Sequence, residues 1–259
     1  MNTRPKAVAK KSTRTAISSV VPFNPLERKV LGAAMAEVLL TTPVYPLSTS
    51  FPLRGPGVYA IYYVGSSFVP YGPLARRNAN GRFEWPIYVG QALPSGGRRG
   101  IVTAEEEPSL RNRLMKHGRS IAAATTDFSI EDFHYRALVM DDAFIRLAET
   151  SLLALYKPIW NNYIDGFGNN APGGGREASK RSRWDTLHGG RSQAAVHQER
   201  GETREQLIAE ITQELASTNF DIPSTLITAV GQSVGGLTPV MDLKNVVNSD
   251  SPEASSEGA

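Results

Sequence analysis

The sequence predicts an α+β fold in which a few short strands are flanked by helices, and three observations lead to it. Two short apolar runs, residues 57–64 and 86–90, are typical of buried strands. In residues 133–139, Phe, Tyr, Ala and Val alternate with His, Arg and Leu, which is the pattern of a half-buried strand. Pro108 and Asp141 each precede a segment with helical periodicity, and both residue types favour a helix start.

Changes in composition divide the chain into five segments. They are a basic flexible arm (1–22), an N-terminal helical extension (23–55), a core (56–165), a Gly- and Arg-rich loop with a C-terminal helix (166–220), and a flexible tail (221–259).

Two of these segments carry amphipathic helices outside the core. In the extension, Asn24 is a plausible N-cap, and Leu31, Met35 and Leu39 recur at a spacing of four. A second apolar stripe runs along residues 203–216. Each stripe either closes the core of this chain or forms a dimer interface, and the sequence leaves both possibilities open.

Composition excludes several classes of protein. The chain has no cysteine, which rules out a disulfide framework, thiolate catalysis and a sulfur-ligated zinc site, and is compatible with the cytosol. No apolar run reaches the length of a membrane span, so no membrane association is predicted. The net charge is only +3, but bases concentrate in residues 1–20 and acids in residues 242–259. The total therefore understates the basic surface available to a polyanion.

The residues that could carry chemistry occur in a defined order. Gly57-Val58-Tyr59 and Tyr88-Val89-Gly90 lie in the first two predicted strands. Arg113 and His117 follow at a spacing that places both on one helix face. Glu149 then lies in an otherwise apolar helix, where a carboxylate is unfavourable unless it has a partner or lies at the solvated boundary of that face.

This order, completed by Pro158-Ile159-Trp160-Asn161, resembles the GIY-YIG nuclease superfamily. Valine replaces isoleucine in both triplets, and the segment between them is far longer than is usual in the superfamily. The long insertion and the flanking arms resemble the type II restriction endonuclease branch. The members of that branch most similar to this chain cut GC-rich palindromes of the CCGCGG type.

The resemblance implies a small three-stranded mixed or antiparallel sheet flanked by helices, and a metal-dependent phosphodiesterase. Glu149 would bind the metal, and Arg113 would hold the scissile phosphate. Tyr59 or His117 would move the proton of the attacking water, with Tyr88 beside them. Asn161 would be structural or would bind phosphate, and Asn162 is the alternative residue for this role. The implied catalytic residues are Tyr59, Tyr88, Arg113, His117, Glu149 and Asn161.

Two basic segments are candidates for contact with DNA. Residues 65–85 are predicted to be a loop, and residues 166–191 are Gly-rich and also contain His188. Arg pairs well with guanine edges and Asn with adenine edges, whereas Lys and Arg on phosphates give affinity without sequence selection. The alternative is that both segments are flexible, solvated loops that do not contact DNA. The candidates are Arg76, Arg77, Asn78, Arg82, Arg176, Lys180, Arg181, Arg183 and Arg191.

The sequence and the resemblance together predict a type II restriction enzyme, which is a sequence-specific double-stranded DNA endonuclease of the bacterial cytoplasm. Mg²⁺ is the expected cofactor, with Mn²⁺ as a substitute. One such core cuts one strand, so cleavage of both strands at a palindrome implies a homodimer. Two alternatives stay open. One is a structure-directed repair or recombination nuclease of the same superfamily, and the other is a catalytically inactive DNA-binding protein.

Overall fold

A computed structural model describes residues 28–49, 53–94, 108–168 and 180–221. Within these ranges the chain forms four strands and seven α-helices. The strands are β1 (Tyr45–Pro46), β2 (Gly57–Tyr63), β3 (Tyr88–Ala92) and β4 (Phe133–Val139). The helices are α1 (Arg28–Thr41), α2 (Gly72–Asn78), α3 (Ser109–Ala123), α4 (Asp142–Tyr156), α5 (Ile159–Asn162), α6 (Arg183–His188) and α7 (Arg204–Ser217).

The described strands form one sheet in the order β1-β4-β2-β3, and every pairing in it is antiparallel. The α+β fold class is confirmed. The sheet has a fourth strand that the sequence did not reveal, because β1 is only two residues long and contains a proline. Strand β2 is central and buried along its whole length, which explains its continuous apolar pattern.

Local signals set the ends of the helices around the sheet. The Asp141 side chain accepts from the Ala143 amide and caps α4, and Lys157 ends that helix in a left-handed conformation (φ 43°) before Pro158. Thr203 and Gln206 form a capping box at the start of α7. The predicted helix starts at Pro108 and Asp141 are confirmed.

The prediction that residues 65–85 form a loop is wrong, because they contain α2. The Gly72-Pro73 pair opens this helix, since proline fits the first helical turn. At the end of α2, Asn78 is fully buried; its amide donates to the Tyr63 and Trp85 carbonyls, and its oxygen accepts from the Trp85 amide. Asn78 therefore closes the base of the β2–β3 connection, which corrects its assignment to DNA contact.

Helices α1 and α7, which lie outside the predicted core segment, pack onto the same hydrophobic core as the sheet. Helix α1 lies against α4 and β4, with Leu39 buried, and α7 lies against α6 and α2. Residues beyond 165 also enter this core, since Phe167 and Trp184 are buried. The apolar stripes of α1 and α7 therefore help to close the core of this chain, which is the first of the two possibilities that the sequence left open.

Among the helices described, none combines the length and the apolar character needed to cross a lipid bilayer.

Candidate active site

The glycines of the two triplets are required by close contacts. A Cβ on Gly57 would lie 2.1 Å from the Leu138 carbonyl oxygen of the neighbouring strand. A Cβ on Gly90 would lie 2.4 Å from the Tyr59 hydroxyl oxygen, because Tyr59 and Gly90 face each other across β2 and β3. The Tyr59 ring therefore lies across the backbone of the second triplet, which places the two motifs at one site.

Tyr59 and His117 form the centre of this site. Both side chains are buried, and the Tyr59 hydroxyl lies 2.6 Å from His117 Nε2. Burial raises the pKa of Tyr59 well above 10 and lowers the pKa of His117 well below 6.5, the latter assisted by nearby positive charges, first of all that of Arg113. At neutral pH the tyrosine is therefore protonated and the imidazole uncharged, so the hydroxyl donates to Nε2 in the tautomer that carries its proton on Nδ1.

Arg113 brings a positive charge to the two tyrosines. Its charge opposes the increase in pKa that burial causes at Tyr59 and at Tyr88, whose ring centroid lies 6.2 Å from that of Tyr59. The Arg113 Nη2 donates to the Gly168 carbonyl at 2.9 Å. Its Nε is buried and has no hydrogen-bond partner among the residues that the structure describes. A buried unpaired donor is costly unless a ligand satisfies it, so Arg113 suits an incoming anion.

Glu149 is half-buried on α4, beside the same cluster. Burial raises its pKa, and the positive charges of Arg113 and Arg146 oppose that increase. Its charge in turn acts on Tyr59 and Tyr88. Glu149 is thus half-buried and within electrostatic reach of Arg113 and of the two tyrosines.

The donor set at this site fits a metal that needs few protein ligands. In the described part of the chain, no group of three or more His, Cys, Asp or Glu side chains could hold a metal ion. A single carboxylate is nevertheless compatible with Mg²⁺, which commonly keeps several waters and uses one or two carboxylates. Glu149, with tyrosine hydroxyls nearby, provides hard oxygen donors of this kind.

Asn161 lies behind the second triplet and has a structural position. Its amide donates to the Val89 carbonyl and its oxygen accepts from the Val89 amide, both at 2.8 Å. The side chain therefore satisfies the free edge of β3 as a neighbouring strand would. Of the two roles that the sequence allowed, the geometry matches the structural one.

Two further residues of the site were missed from the sequence, where the core was predicted to end at residue 165. The Phe167 ring stacks on the His117 ring, with centroids 4.6 Å apart and an interplanar angle of 19°. A Cβ on Gly168 would lie 2.3 Å from the Tyr88 hydroxyl, so the backbone passes directly over that side chain. The available signal was an aromatic residue between two glycines, Gly166 and Gly168.

Two arginines predicted to contact DNA are instead engaged inside the protein. Arg183 is paired with Glu202 and Glu210. Arg191 is buried and donates to both carboxylate oxygens of Asp185 at 2.6 Å. These two assignments are corrected, because the carboxylates neutralise and shield both guanidinium groups.

The other DNA-contact candidates are more open. Arg76, Arg77 and Arg82 line a cavity of about 460 Å³ between α2 and the end of α7. Lys180 is exposed, and Arg181 is half-buried. Arg176 lies outside the described residues. A basic surface therefore remains on α2 and at the start of the segment that precedes α6.

Comparison with known families gives a match that spans this site. The family model described as the Eco29kI GIY-YIG domain, from a family of restriction endonucleases, matches residues 51–215, more than half of the 259-residue chain. The match contains both triplets and continues beyond residue 165 into α7. No curated protein matches the chain.

Proposed function

The chain belongs to the Eco29kI GIY-YIG family, and from this we propose that it is a type II restriction endonuclease that cuts both strands of a GC-rich palindrome. Membership of the family indicates a nuclease of the GIY-YIG superfamily that acts on DNA. The observation that carries the proposed chemistry is the buried hydrogen bond between Tyr59 and His117, with Arg113 and Glu149 beside it. This cluster can move a proton next to a positive charge and a carboxylate.

The proton of the attacking water passes through Tyr59 to His117. Burial disfavours a free phenolate, so Tyr59 accepts the water proton only as it gives its own proton to His117 Nε2, 2.6 Å away. The water oxygen then bonds to phosphorus, and the bond from phosphorus to the leaving oxygen breaks. The negative charge of the bound phosphate offsets the cost of a positive His117 in a buried position. Both residues thus share the role of base.

Arg113 holds the phosphate during this step. Its Nε, which has no hydrogen-bond partner among the described residues, and the planar geometry of its guanidinium suit two nonbridging phosphate oxygens. Negative charge on these oxygens increases as the pentavalent state forms, so a fixed positive charge stabilises that state more than the bound substrate. The Tyr88 hydroxyl lies against Gly168, to which Arg113 also donates, and it is a second candidate donor to the phosphate.

Glu149 would hold the divalent metal, with Mg²⁺ as the proposed ion and Mn²⁺ as its substitute. When bound, the metal supplies positive charge that stabilises the phosphate and the leaving oxygen. The Glu149 carboxylate keeps that charge beside the two tyrosines. Because burial raises the pKa of Glu149, the metal also stabilises its ionised form.

Cleavage of both strands requires two such sites, and we therefore propose a homodimer on the palindrome. Arginine and lysine side chains would position each protomer on the DNA backbone and contact guanine edges. Those that remain candidates after the structure is considered are Arg76, Arg77, Arg82, Lys180 and Arg181, with Arg176 outside the described residues.

The experiment that tests this function is incubation of the purified protein with a long DNA of mixed sequence, with Mg²⁺ or with EDTA. Discrete fragments that appear only with Mg²⁺, and that share one end sequence, would support the proposal. The Glu149→Gln variant is the matched control. It keeps the shape of the side chain but removes its charge, and it should leave the DNA intact.

Other outcomes identify the alternatives. A smear, or cutting confined to branched DNA, would indicate a nonspecific or structure-directed nuclease. Intact DNA with a retarded band in both lanes would indicate a DNA-binding protein without catalysis. Fragments produced equally well by Glu149→Gln would show that this carboxylate does not bind the metal.

A further inference from the structure

Arg191 is the most heavily bonded buried cation described in the chain. Besides its two bonds to Asp185, its Nη1 donates to the Phe167 carbonyl at 3.2 Å and its Nη2 to the Gly166 carbonyl at 3.1 Å. Its guanidinium also lies over the Trp184 ring, 4.5 Å from the centroid. One side chain therefore joins α6 and the turn after it to the backbone of residues 166–167.

The backbone at these residues has little freedom to follow another path. Gly166 has a φ of 100°, and a Cβ there would lie 2.1 Å from the Ser182 Cβ. On the other side of Phe167, Gly168 lies directly over the Tyr88 hydroxyl and accepts from Arg113. The backbone is therefore fixed on both sides of Phe167, whose side chain is buried.

The position of Phe167 matters because its ring covers the imidazole of His117. Besides this stacked contact, the Phe167 ring meets the Tyr88 ring edge-on at 4.9 Å. An aromatic ring in this position excludes water from one face of His117 and limits rotation of its ring. A fixed ring keeps Nε2 directed at Tyr59, 2.6 Å away.

We propose that Arg191 is a positioning residue for DNA cleavage, which acts by holding the carbonyls of residues 166–167 so that Phe167 stays stacked on His117. The proposal rests on the proposed function, since it concerns the proton acceptor of that reaction. Asp185 is part of the device, because it fixes the guanidinium through two hydrogen bonds. Arg191 touches neither substrate nor reacting atoms.

The first measurement is the steady-state cleavage of an oligonucleotide that contains the site found for the wild type. In Arg191→Met, kcat should fall by about a hundredfold with little change in KM, because misplacement of a catalytic group by about 1 Å has a cost of this size. Arg200→Met is the matched control. Arg200 also binds a carboxylate and a backbone carbonyl, those of Glu202 and Arg181, but none of residues 166–168. Its kcat should remain that of the wild type.

The second measurement is the NMR signal of the His117 imidazole, which is one of only four histidines in the chain. A ring stacked at 4.6 Å shifts the imidazole proton resonances upfield. In Arg191→Met that shift should be lost, and in Arg200→Met it should remain. A merely structural role for Arg191 would lower thermal stability but leave the His117 signal of the folded protein in place, and that result would overturn the proposal.

A second variant keeps the test decisive if Arg191→Met does not fold, since it leaves Asp185 buried without its partner. Phe167→Leu retains the bonds of Arg191 but removes the ring, and it should also lower kcat and abolish the upfield shift. A normal kcat in Phe167→Leu would refute the proposal. Failure of the wild-type protein to cut any DNA would instead refute the proposed function, while the NMR comparison would still show whether Arg191 positions His117.

Discussion

The described part of the molecule contains two buried Tyr–His pairs, and only one of them belongs to the candidate active site. In the first, the Tyr59 hydroxyl lies 2.6 Å from His117 Nε2; in the second, the Tyr71 hydroxyl lies 2.8 Å from His188 Nε2. All four side chains are buried, and burial lowers the pKa of both histidines. The bond and the burial are therefore the same in the two regions.

The surroundings of the two pairs differ. Tyr71 also accepts from Trp160 Nε1 at 2.8 Å, and His188 Nδ1 lies 2.8 Å from an oxygen of Asp127, which Arg204 binds as well. The side-chain polar atoms of Tyr71, Trp160, His188 and Asp127 are thus all paired within the protein. The Tyr59–His117 pair instead lies beside the half-buried Glu149 and Arg113, whose Nε has no hydrogen-bond partner in the part of the chain that the structure describes. A Tyr–His bond indicates catalysis only where its neighbours are left available to a ligand.

The largest expected difference concerns the two carboxylates. Glu149→Gln should reduce cleavage by about a thousandfold, since the metal's contribution amounts to several kcal/mol. DNA binding without metal should be unchanged or tighter, because a negative charge near the phosphate is gone. Gel-shift and cleavage assays measure the two effects separately. Wild-type cleavage by Glu149→Gln would show that its carboxylate resembles Asp127 in being structural.

Asp127→Asn is the counterpart of that variant. It removes a buried charge that Arg204 and His188 both contact, and should lower the free energy of unfolding by about 3 kcal/mol. The protein that remains folded should cut DNA at the normal rate. Urea unfolding and cleavage well below the midpoint test this, and a loss of activity in the folded protein would contradict the division between the two regions.

The two tyrosines give the next largest contrast. Tyr59→Phe should lower kcat by about a hundredfold, because the proton path through the hydroxyl is removed. Tyr71→Phe should leave kcat unchanged but cost about 2 kcal/mol of stability, since His188 and Trp160 both lose a buried partner. Single-turnover cleavage and chemical unfolding of both variants would show either this exchange of effects or its absence.

The structural Tyr71–His188 pair should also make the free energy of unfolding depend on pH. Burial lowers the pKa of His188 to about 4, whereas in an unfolded chain it is about 6.5. Between about pH 6.5 and about pH 4, the unfolded state therefore binds a proton at His188 that the folded state does not bind. The free energy of unfolding attributable to His188 is fully present above about pH 6.5 and decreases as the pH falls toward about 4, by about 3 kcal/mol in total.

His188→Gln provides the measurement of that effect. Urea unfolding at about pH 7 and about pH 5 should show a smaller decrease for the variant than for the wild type, because the titrating group is gone. The decrease due to His117, whose pKa burial also lowers, should remain in both proteins. Equal decreases would show that His188 does not titrate between the folded and unfolded states.

The smallest effect is expected from the internal arginines. Arg183→Met should cost about 1 kcal/mol of stability, since its pairs with Glu202 and Glu210 are only partly buried. Its choice of cleavage site should be unchanged. Arg76→Met should instead weaken DNA binding and reduce its dependence on salt. Relaxed site choice in Arg183→Met would return that residue to the DNA-contacting set.

The parts of the fold that sequence predicts are those with local causes. Strand β4 and helix α4 follow from side-chain alternation, from the cap at Asp141 and from Pro158. The order of residue types also selected Tyr59 and His117, which the structure brings into contact. Their contact distance depends on how α3 packs on β2, which no local pattern encodes.

What the sequence could not predict depends on partners that lie far along the chain. Arg183 was assigned to DNA because its segment is basic, but Glu202 and Glu210, which neutralise it, belong to the approach to α7 and to α7 itself. His188 was grouped with the same basic segment, although it is paired with Tyr71 and Asp127. Phe167 was overlooked because a single aromatic residue in a Gly-rich stretch gives no periodic signal.

The side chain of Asn78 has a consequence for how this enzyme could be modified. By binding both the Tyr63 and Trp85 backbones, it fixes the two ends of the β2–β3 connection relative to each other. Phe68, Tyr71 and Leu74 of that connection belong to the core, whereas residues 79–84 are exposed or half-buried. Residues 79–84 are therefore the part that can be exchanged while Asn78 is retained, and cleavage assays of such variants would show whether this turn influences the choice of DNA site.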